Sequence, residues 1–456
     1  MRLRQWQADC VTLALNKFTE GQKHFFALAT PGSGKTVMAA TLANELFIKN
    51  QIDYVVCFAP SLAVLESMRS TFSTTLNRPM HGQLGAAGGV FSYQYLASSK
   101  SADWSFLKNN RVLVIFDEIH HCSGNDPDDA NAWGREVLVN IGKHAHFILS
   151  MTGTPWRSDL SKISLATYID PDNTIQCDFS YGLSLAIQDG VCRLPFVTLI
   201  DNDQLKVAND TYDSLSSAIK QSELRYSEIL KSDEAVRYLI DASVKQLAIA
   251  RMEQKNAAGL VVASSLEEAF RIQRMLSSKF KQSSVLVSYK DPNAHQKIRE
   301  FRTSDLQWII SIGMVAEGTD IPRLRVCAHL SLIRTELFFR QVLGRVLRLI
   351  PMIANQKGWL FSFAEPSLVK YAKRLQQDIP DEVFKIEKVG ELNSSKALKS
   401  SENHRQSNGN TNLNSGSEGC WQSPQAKTFV TNLALAQQML SFRLQGQYRQ
   451  QVFSIF

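Results

Sequence analysis

The sequence predicts an α/β fold: two successive parallel sheets flanked by helices. Residues 1 to about 165 alternate short apolar runs with helical stretches, and residues 175 to about 388 do so again. The composition agrees. Of 456 residues, 44% are hydrophobic and 20% charged, the proportions of an ordinary globular chain. Global disorder, collagen and a disulfide scaffold are excluded. At roughly 150 residues per domain, the length fits two to three domains.

In the first zone the apolar runs His24–Ala29, Asp53–Ala59, Val112–Phe116 and Phe147–Ser150 read as strands. Thr36–Lys49 and Leu62–Ser73 between them read as helices. Such alternation places helices on both faces of a parallel sheet. In the second zone the expected strands are Pro195–Ile200, Gly259–Ala263, Ser284–Val287, Trp308–Ile312, Val326–Leu330 and Lys357–Phe363. Residues 209–256 are expected to be mainly helical, with Val236, Leu239, Ile240, Val244 and Leu247 on one face. Sixteen of the 28 residues from Leu392 to Gly419 are Ser, Asn or Gly, so that stretch reads as a disordered linker. Beyond it, Phe429, Leu433, Ala436, Leu440 and Leu444 fall near one face of a helix over Lys427–Leu444. The expected division is 1–170, 171–390, a linker over 391–425 and a helical tail over 426–456.

Fifty Lys and Arg against 43 Asp and Glu give a net charge of +7. That excess permits a polyanionic partner without requiring one. Seven cysteines, none in C-x-x-C spacing, suit free thiols in a reducing compartment. No apolar signal region or run long enough to span a bilayer is visible, so the expected location is cytoplasmic, with no membrane partner.

The strongest motif is Ala29-Thr-Pro-Gly-Ser-Gly-Lys-Thr36, which follows an expected strand and opens an expected helix. Gly32 and Gly34 let the backbone turn and aim N–H groups inward, with Pro31 and Ser33 in the same loop. The helix N-terminus adds its dipole toward an anion. Lys35 is expected to reach the β- and γ-phosphates of ATP, and Thr36 to ligate Mg²⁺. A second site follows the run Val112-Leu-Val-Ile-Phe, which delivers Asp117 and Glu118 to a strand end. Asp117 would hold Mg²⁺, and Glu118 would take a proton from, or orient, the attacking water. His120 would link this site to the next motif. His120, His121 and Cys122 as a metal set is the weaker alternative, because adjacent side chains seldom converge on one ion.

Together with further segments along the chain, these residues resemble the superfamily 2 helicases and nucleic-acid translocases. Asp117-Glu-Ile-His120 is similar to their DExH motif II, and Met151-Thr-Gly-Thr-Pro-Trp-Arg157 to motif III. Ala316-Glu-Gly-Thr-Asp-Ile-Pro322 is similar to motif V, and Gln341-Val-Leu-Gly-Arg-Val-Leu-Arg348 to motif VI. Leu3-Arg-Gln-Trp-Gln7 resembles an element near the start of many members, and Phe91–Leu96 sits where motif Ib is expected. The T-G-T-P and Q-x-x-G-R-x-x-R forms are nearest to the group of XPB, UvsW and the motor subunits of type I and III restriction enzymes.

The resemblance implies two tandem RecA-like P-loop domains with ATP between them. It makes Arg345 and Arg348 arginine fingers, and sets Gln341 against the γ-phosphate or the water. Spacing alone says only that the two arginines share a helix face. The resemblance gives Gly318 and Asp320 a sensing role, Thr152 and Thr154 a coupling role, and Gln7 the adenine contact, with Arg4 a weaker choice. It favours DNA over RNA, leaving an RNA-dependent ATPase and a nucleotide-gated subunit of a larger complex as alternatives. Ser61, Arg69, Ser264, Arg334 and Thr335 are weak candidates to grip phosphates, with an ordinary surface role the stronger reading for most, and Trp133, Trp156, Phe338 and Phe339 either stack on bases or pack in the core. The C-terminal helix is expected to dock back on the body, with a protein or nucleic-acid partner as the alternative. Repair, recombination and phage defence all remain open as pathways.

Overall fold

The structure is a computed structural model. It describes residues 3–377, apart from 99–104, 125, 127, 155–160, 170–173, 315–319, 351–352 and 354–355, together with 442–444 and 446–454.

The first sheet has six strands in the order Gly88–Ser92, Tyr54–Ala59, Val112–Asp117, Phe147–Thr152, His24–Ala29, Phe179–Tyr181, with every pairing parallel. Val112–Asp117 and Phe147–Thr152 are buried at every position, as a two-faced parallel strand must be. Their register sets Asp117 opposite Met151, and that of the next pair sets Leu28 opposite Thr152. Three connecting loops therefore emerge side by side at one end of the sheet. The helix Lys35–Ile48 opens at Gly34, which is left-handed at φ +98°, and buries Met38, Ala39, Leu42 and Leu46.

The second sheet has seven strands, in the order Ser284–Ser288, Trp308–Ile312, Ala258–Ala263, Leu324–Leu330, Lys357–Phe363, Leu194–Asn202, Tyr448–Ser454. The first six pair in parallel and the last antiparallel. The 21-residue helix Asp233–Glu253 buries Val236, Leu239, Ile240 and Leu247. Its start is capped by Ser232, whose hydroxyl accepts from the Ala235 N–H. This is the α/β class with two tandem RecA-like sheets.

Three elements differ from expectation. Phe179–Tyr181 is the sixth strand of the first sheet, although it lies past the expected boundary at 170. Gly88–Ser92 is an edge strand that two leading glycines hide from an apolar-run reading. The expected C-terminal helix is corrected where it can be checked: Phe442–Leu444 and Tyr448–Ser454 are strands. The second of these covers the open edge of Leu194–Asn202, and that pairing outweighs helical periodicity. The rest of that helix and the expected linker lie outside the described residues. Among the described residues no helix is long and apolar enough to cross a membrane.

Candidate functional site

The end of the first sheet gathers the residues of three motifs. Lys35 Nζ is 3.1 Å from Glu118 Oε1 and donates to the Ala29 carbonyl at 3.1 Å. Glu118 Oε2 accepts from the Gly153 N–H at 3.1 Å and from the Thr152 hydroxyl at 3.2 Å. His120 Nδ1 lies 2.9 Å from Thr152 Oγ1, and the Thr154 N–H donates to that same oxygen at 3.1 Å. The Tyr93 hydroxyl donates to the Asp117 carbonyl at 2.9 Å. Sequence reasoning sets Gly153 in the third motif and Tyr93 within Phe91–Leu96 but gives neither a role, because a backbone donor and a core aromatic show no chemistry in the sequence.

Glu118 occupies the left-handed region at φ 55°, ψ 53°. For a residue with a Cβ this costs roughly 1–2 kcal/mol. The turn sends Asp117 and Glu118 apart, and their environments diverge accordingly. Burial pushes the Asp117 carboxyl up to about 7, with the neighbouring Glu118 charge adding and Lys35 opposing. Burial also raises Glu118, but Lys35 and the hydrogen bonds from His120 and Gly153 outweigh it. Its net position is well below the usual carboxylate range. Asp117 Oδ1 and Ser33 Oγ are buried with no hydrogen-bond partner among the described residues.

The N-terminal helix Gln5–Thr19 leans on the loop from outside. Gln7 Nε2 donates to the Gly34 carbonyl at 2.9 Å, and the Arg4 guanidinium donates to the Ser33 carbonyl. Trp6 is buried against Tyr181, with ring centroids 4.8 Å apart.

The helix Glu336–Val346 of the second sheet closes the other side. It buries Gln341 and Arg345. A Cβ added at Gly344 would lie 3.1 Å from Pro31 Cβ, and one at Gly32 would lie 3.5 Å from Arg348 Cγ. Arg348 is ion-paired with Asp320, which Arg302 also holds at 3.1 Å. Burial raises Asp320, but Arg348, Arg302 and Arg345 hold it below the usual range. Lys35, Asp117, Glu118, His120, Thr152 and Thr154 thus form one cluster. Arg348 and the Gly344 backbone face the phosphate loop from the second sheet.

A family model described as the res subunit of type III restriction enzymes matches residues 1–157. An uncharacterized protein of Mycobacterium leprae is 30% identical over 403 residues, covering 82% of this chain and 64% of the relative. The DNA 3'-5' translocase XPB2 of Sulfurisphaera tokodaii is 21% identical over 375 residues, covering 76% of this chain and 79% of the relative. A fragment structure of a Vibrio vulnificus protein assigned as the HsdR subunit of a type I restriction enzyme shares the fold. It aligns with a TM-score of 0.55 at 17% identity, covering 81% of this chain and 65% of that one. The chain is of the superfamily 2 helicase type. It spans a little under two thirds of the mycobacterial relatives it matches.

For this superfamily 2 chain the motif residues fall at the site, whereas most of the suggested nucleic-acid contacts have work within the fold. Ser61 caps its helix through the Val64 N–H, and Thr335 caps Glu336–Val346 through the Phe338 N–H. Arg69 donates to the Val90 carbonyl, Ser264 to Glu268 and Arg334 to Glu365. Phe338 and Phe339 are buried at 4% and 0% exposure, which selects core packing over base stacking for both. Trp133 stacks on Tyr93, with centroids 5.6 Å apart. Trp156 and Gly318 lie outside the described residues.

Proposed function

We propose that the chain is an ATP-dependent helicase or translocase acting on DNA, with ATP held between the two sheets. One observation carries the reading: Glu118 is clasped between the Lys35 ammonium and the Gly153 N–H, while Gly344 and Arg348 of the second sheet stand against Pro31 and Gly32 of the phosphate loop. In this reading the phosphates lie in the loop from Pro31 to Thr36, and Lys35 exchanges Glu118 for phosphate oxygen. Glu118, freed and ionised, accepts a proton from the attacking water. Arg345 and Arg348 neutralise charge that develops on the transferred phosphoryl group, with Gln341 beside them.

The residues present fit Mg²⁺. A buried Asp117 oxygen without a partner suits a hard cation, as does its reluctance to ionise alone. Asp117 and Thr36 would hold the ion, which screens the phosphate charge when bound. Gln7, already on the loop, would sense the adenine side. Thr152, Thr154, His120 and Asp320 would pass the state of the site to whatever is gripped, with Gly318 beside Asp320 in sequence.

The DNA preference is supported by the motif forms and by the relatives' printed descriptions. The test is ATP hydrolysis alone and with single-stranded, duplex and branched DNA and with RNA, with Lys35→Ala as blank. Stimulation by DNA only supports the reading. Stimulation by RNA only overturns the DNA assignment, and equal rates in wild type and blank overturn the ATPase itself.

A further inference from the structure

Arg193 is fully buried at the start of the strand Leu194–Asn202, with 0% exposure. Among the described residues it pairs with no carboxylate. Burial, together with the nearby Arg325 charge, lowers its pKa to about 9. A buried unpaired charge is costly unless its donors are all used. Here four of the five guanidinium N–H groups are used, three on backbone carbonyls and one on the Gln356 side chain. Nη2 donates to Pro322 O at 2.8 Å, and Nη1 donates to Leu324 O and, at 3.1 Å, to Val346 O. Nε donates to Gln356 Oε1 at 3.0 Å, and the Arg193 N–H donates to Leu347 O at 2.8 Å.

These acceptors belong to two segments. Pro322 and Leu324 follow Asp320. Val346 and Leu347 end the helix that carries Gln341 and Arg345, and they precede Arg348. Cys192 forms a backbone bridge with Arg348, and its Sγ lies 3.9 Å from the Pro31 carbonyl. Gln356 continues the brace, donating to Ile350 O at 2.6 Å and Ile353 O at 2.8 Å. A guanidinium at a helix C-terminus also meets the negative end of the helix dipole.

We propose that Arg193 is a positioning residue: one planar guanidinium clamps both backbones that carry the Arg348–Asp320 pair, and so sets where Arg348 stands against the phosphate loop. The fork geometry is the reason for arginine. A lysine is a point donor and cannot span Pro322 and Val346 together. The catalytic part of this inference rests on the proposed ATPase reading; the mechanical part does not.

The test is a double-mutant cycle on the full chain, with Arg193→Lys, Arg348→Ala and the pair. If Arg193 acts through Arg348, Arg193→Lys lowers kcat by about 10- to 100-fold with KM for ATP changed less than threefold. In the Arg348→Ala background it then has no further effect. Independent multiplication of the two losses overturns the proposal, as does an unchanged kcat in Arg193→Lys. The same cycle is read in urea midpoints, where the two substitutions shift the midpoint by less together than the sum of their separate shifts. Additive shifts overturn the clamp. Should the wild type prove not to hydrolyse ATP, the function reading falls and the midpoint cycle alone decides. Gln356→Ala, which trims one arm of the brace, replaces Arg193→Lys in both cycles if that variant does not fold, with the same outcomes deciding.

Discussion

At Glu118 the site's chemistry is set by a backbone dihedral and one ammonium. On the proposed ATPase reading, replacing this residue by Gln removes the proton acceptor and weakens its hold on Lys35. Hydrolysis should fall by about 10²–10⁴, while nucleotide affinity holds or tightens. Parallel measurements of kcat and of fluorescent-ADP binding check this; a joint loss of both would point to collapse of the loop. Gly153 is a sharper probe of spacing. A Cβ there would lie 2.9 Å from Pro31 Cδ and 3.2 Å from Lys35 Nζ, so Gly153→Ala should raise KM for ATP several-fold before it lowers the melting temperature. His329 carries a pH prediction. It is fully buried beside Ser362, and burial lowers its pKa from 6.5 to about 4. Between those values the unfolded chain binds a proton that the folded chain does not. Its contribution therefore weakens stability as pH falls through that window, by at most about 1.4 kcal/mol per unit, and levels off below it. His329→Asn should flatten that part of a urea-midpoint profile between pH 7 and 4. The meeting of Lys35 with Asp117 and Glu118 was legible in the sequence because phosphate chemistry demands such side chains at fixed spacing. Arg193 and the Gly153 N–H were not: most partners of Arg193 are backbone carbonyls, and the Gly153 N–H is itself a backbone donor, and no local pattern marks either.

At the scale of elements, parallel register brings distant loops to one sheet end. Leu28 opposite Thr152 and Asp117 opposite Met151 are enough to assemble the cluster. The core strands were readable for the same reason: fully buried strands are continuous apolar runs. Edge strands were harder. Gly88–Ser92 and Phe179–Tyr181 are short and have only one neighbour each in the sheet. Tyr448–Ser454 owes its conformation to a partner far away in sequence, so helical periodicity upstream misdirected the reading. Removing residues 442–456 should bare the edge of Leu194–Asn202. Lower urea midpoints and concentration-dependent light scattering are expected; an unchanged midpoint would mean that the strand adds nothing to the second sheet.

Across the whole molecule, the described groups through which the two sheets meet include Pro31 against Gly344, Gly32 near Arg348, and the Cys192 thiol near the Pro31 carbonyl. The net charge of +7 is spread over the chain, so DNA stimulation of ATPase should be sequence-tolerant and salt-sensitive. Raising salt from 50 to 200 mM should increase the DNA concentration for half-stimulation by tenfold or more. A flat response would exclude phosphate contacts as the main source of affinity.

The returning strand also dictates an order of events on the ribosome. Asp203 and Gln447, which hydrogen-bond beside the paired edge, are 244 residues apart. At about 5–20 residues per second, the second sheet, whose sixth parallel strand ends at Phe363, waits roughly 4–17 seconds with that edge open until Tyr448 is reached. For that interval the chain depends on its six parallel strands alone, and chaperone contact during synthesis would be concentrated there.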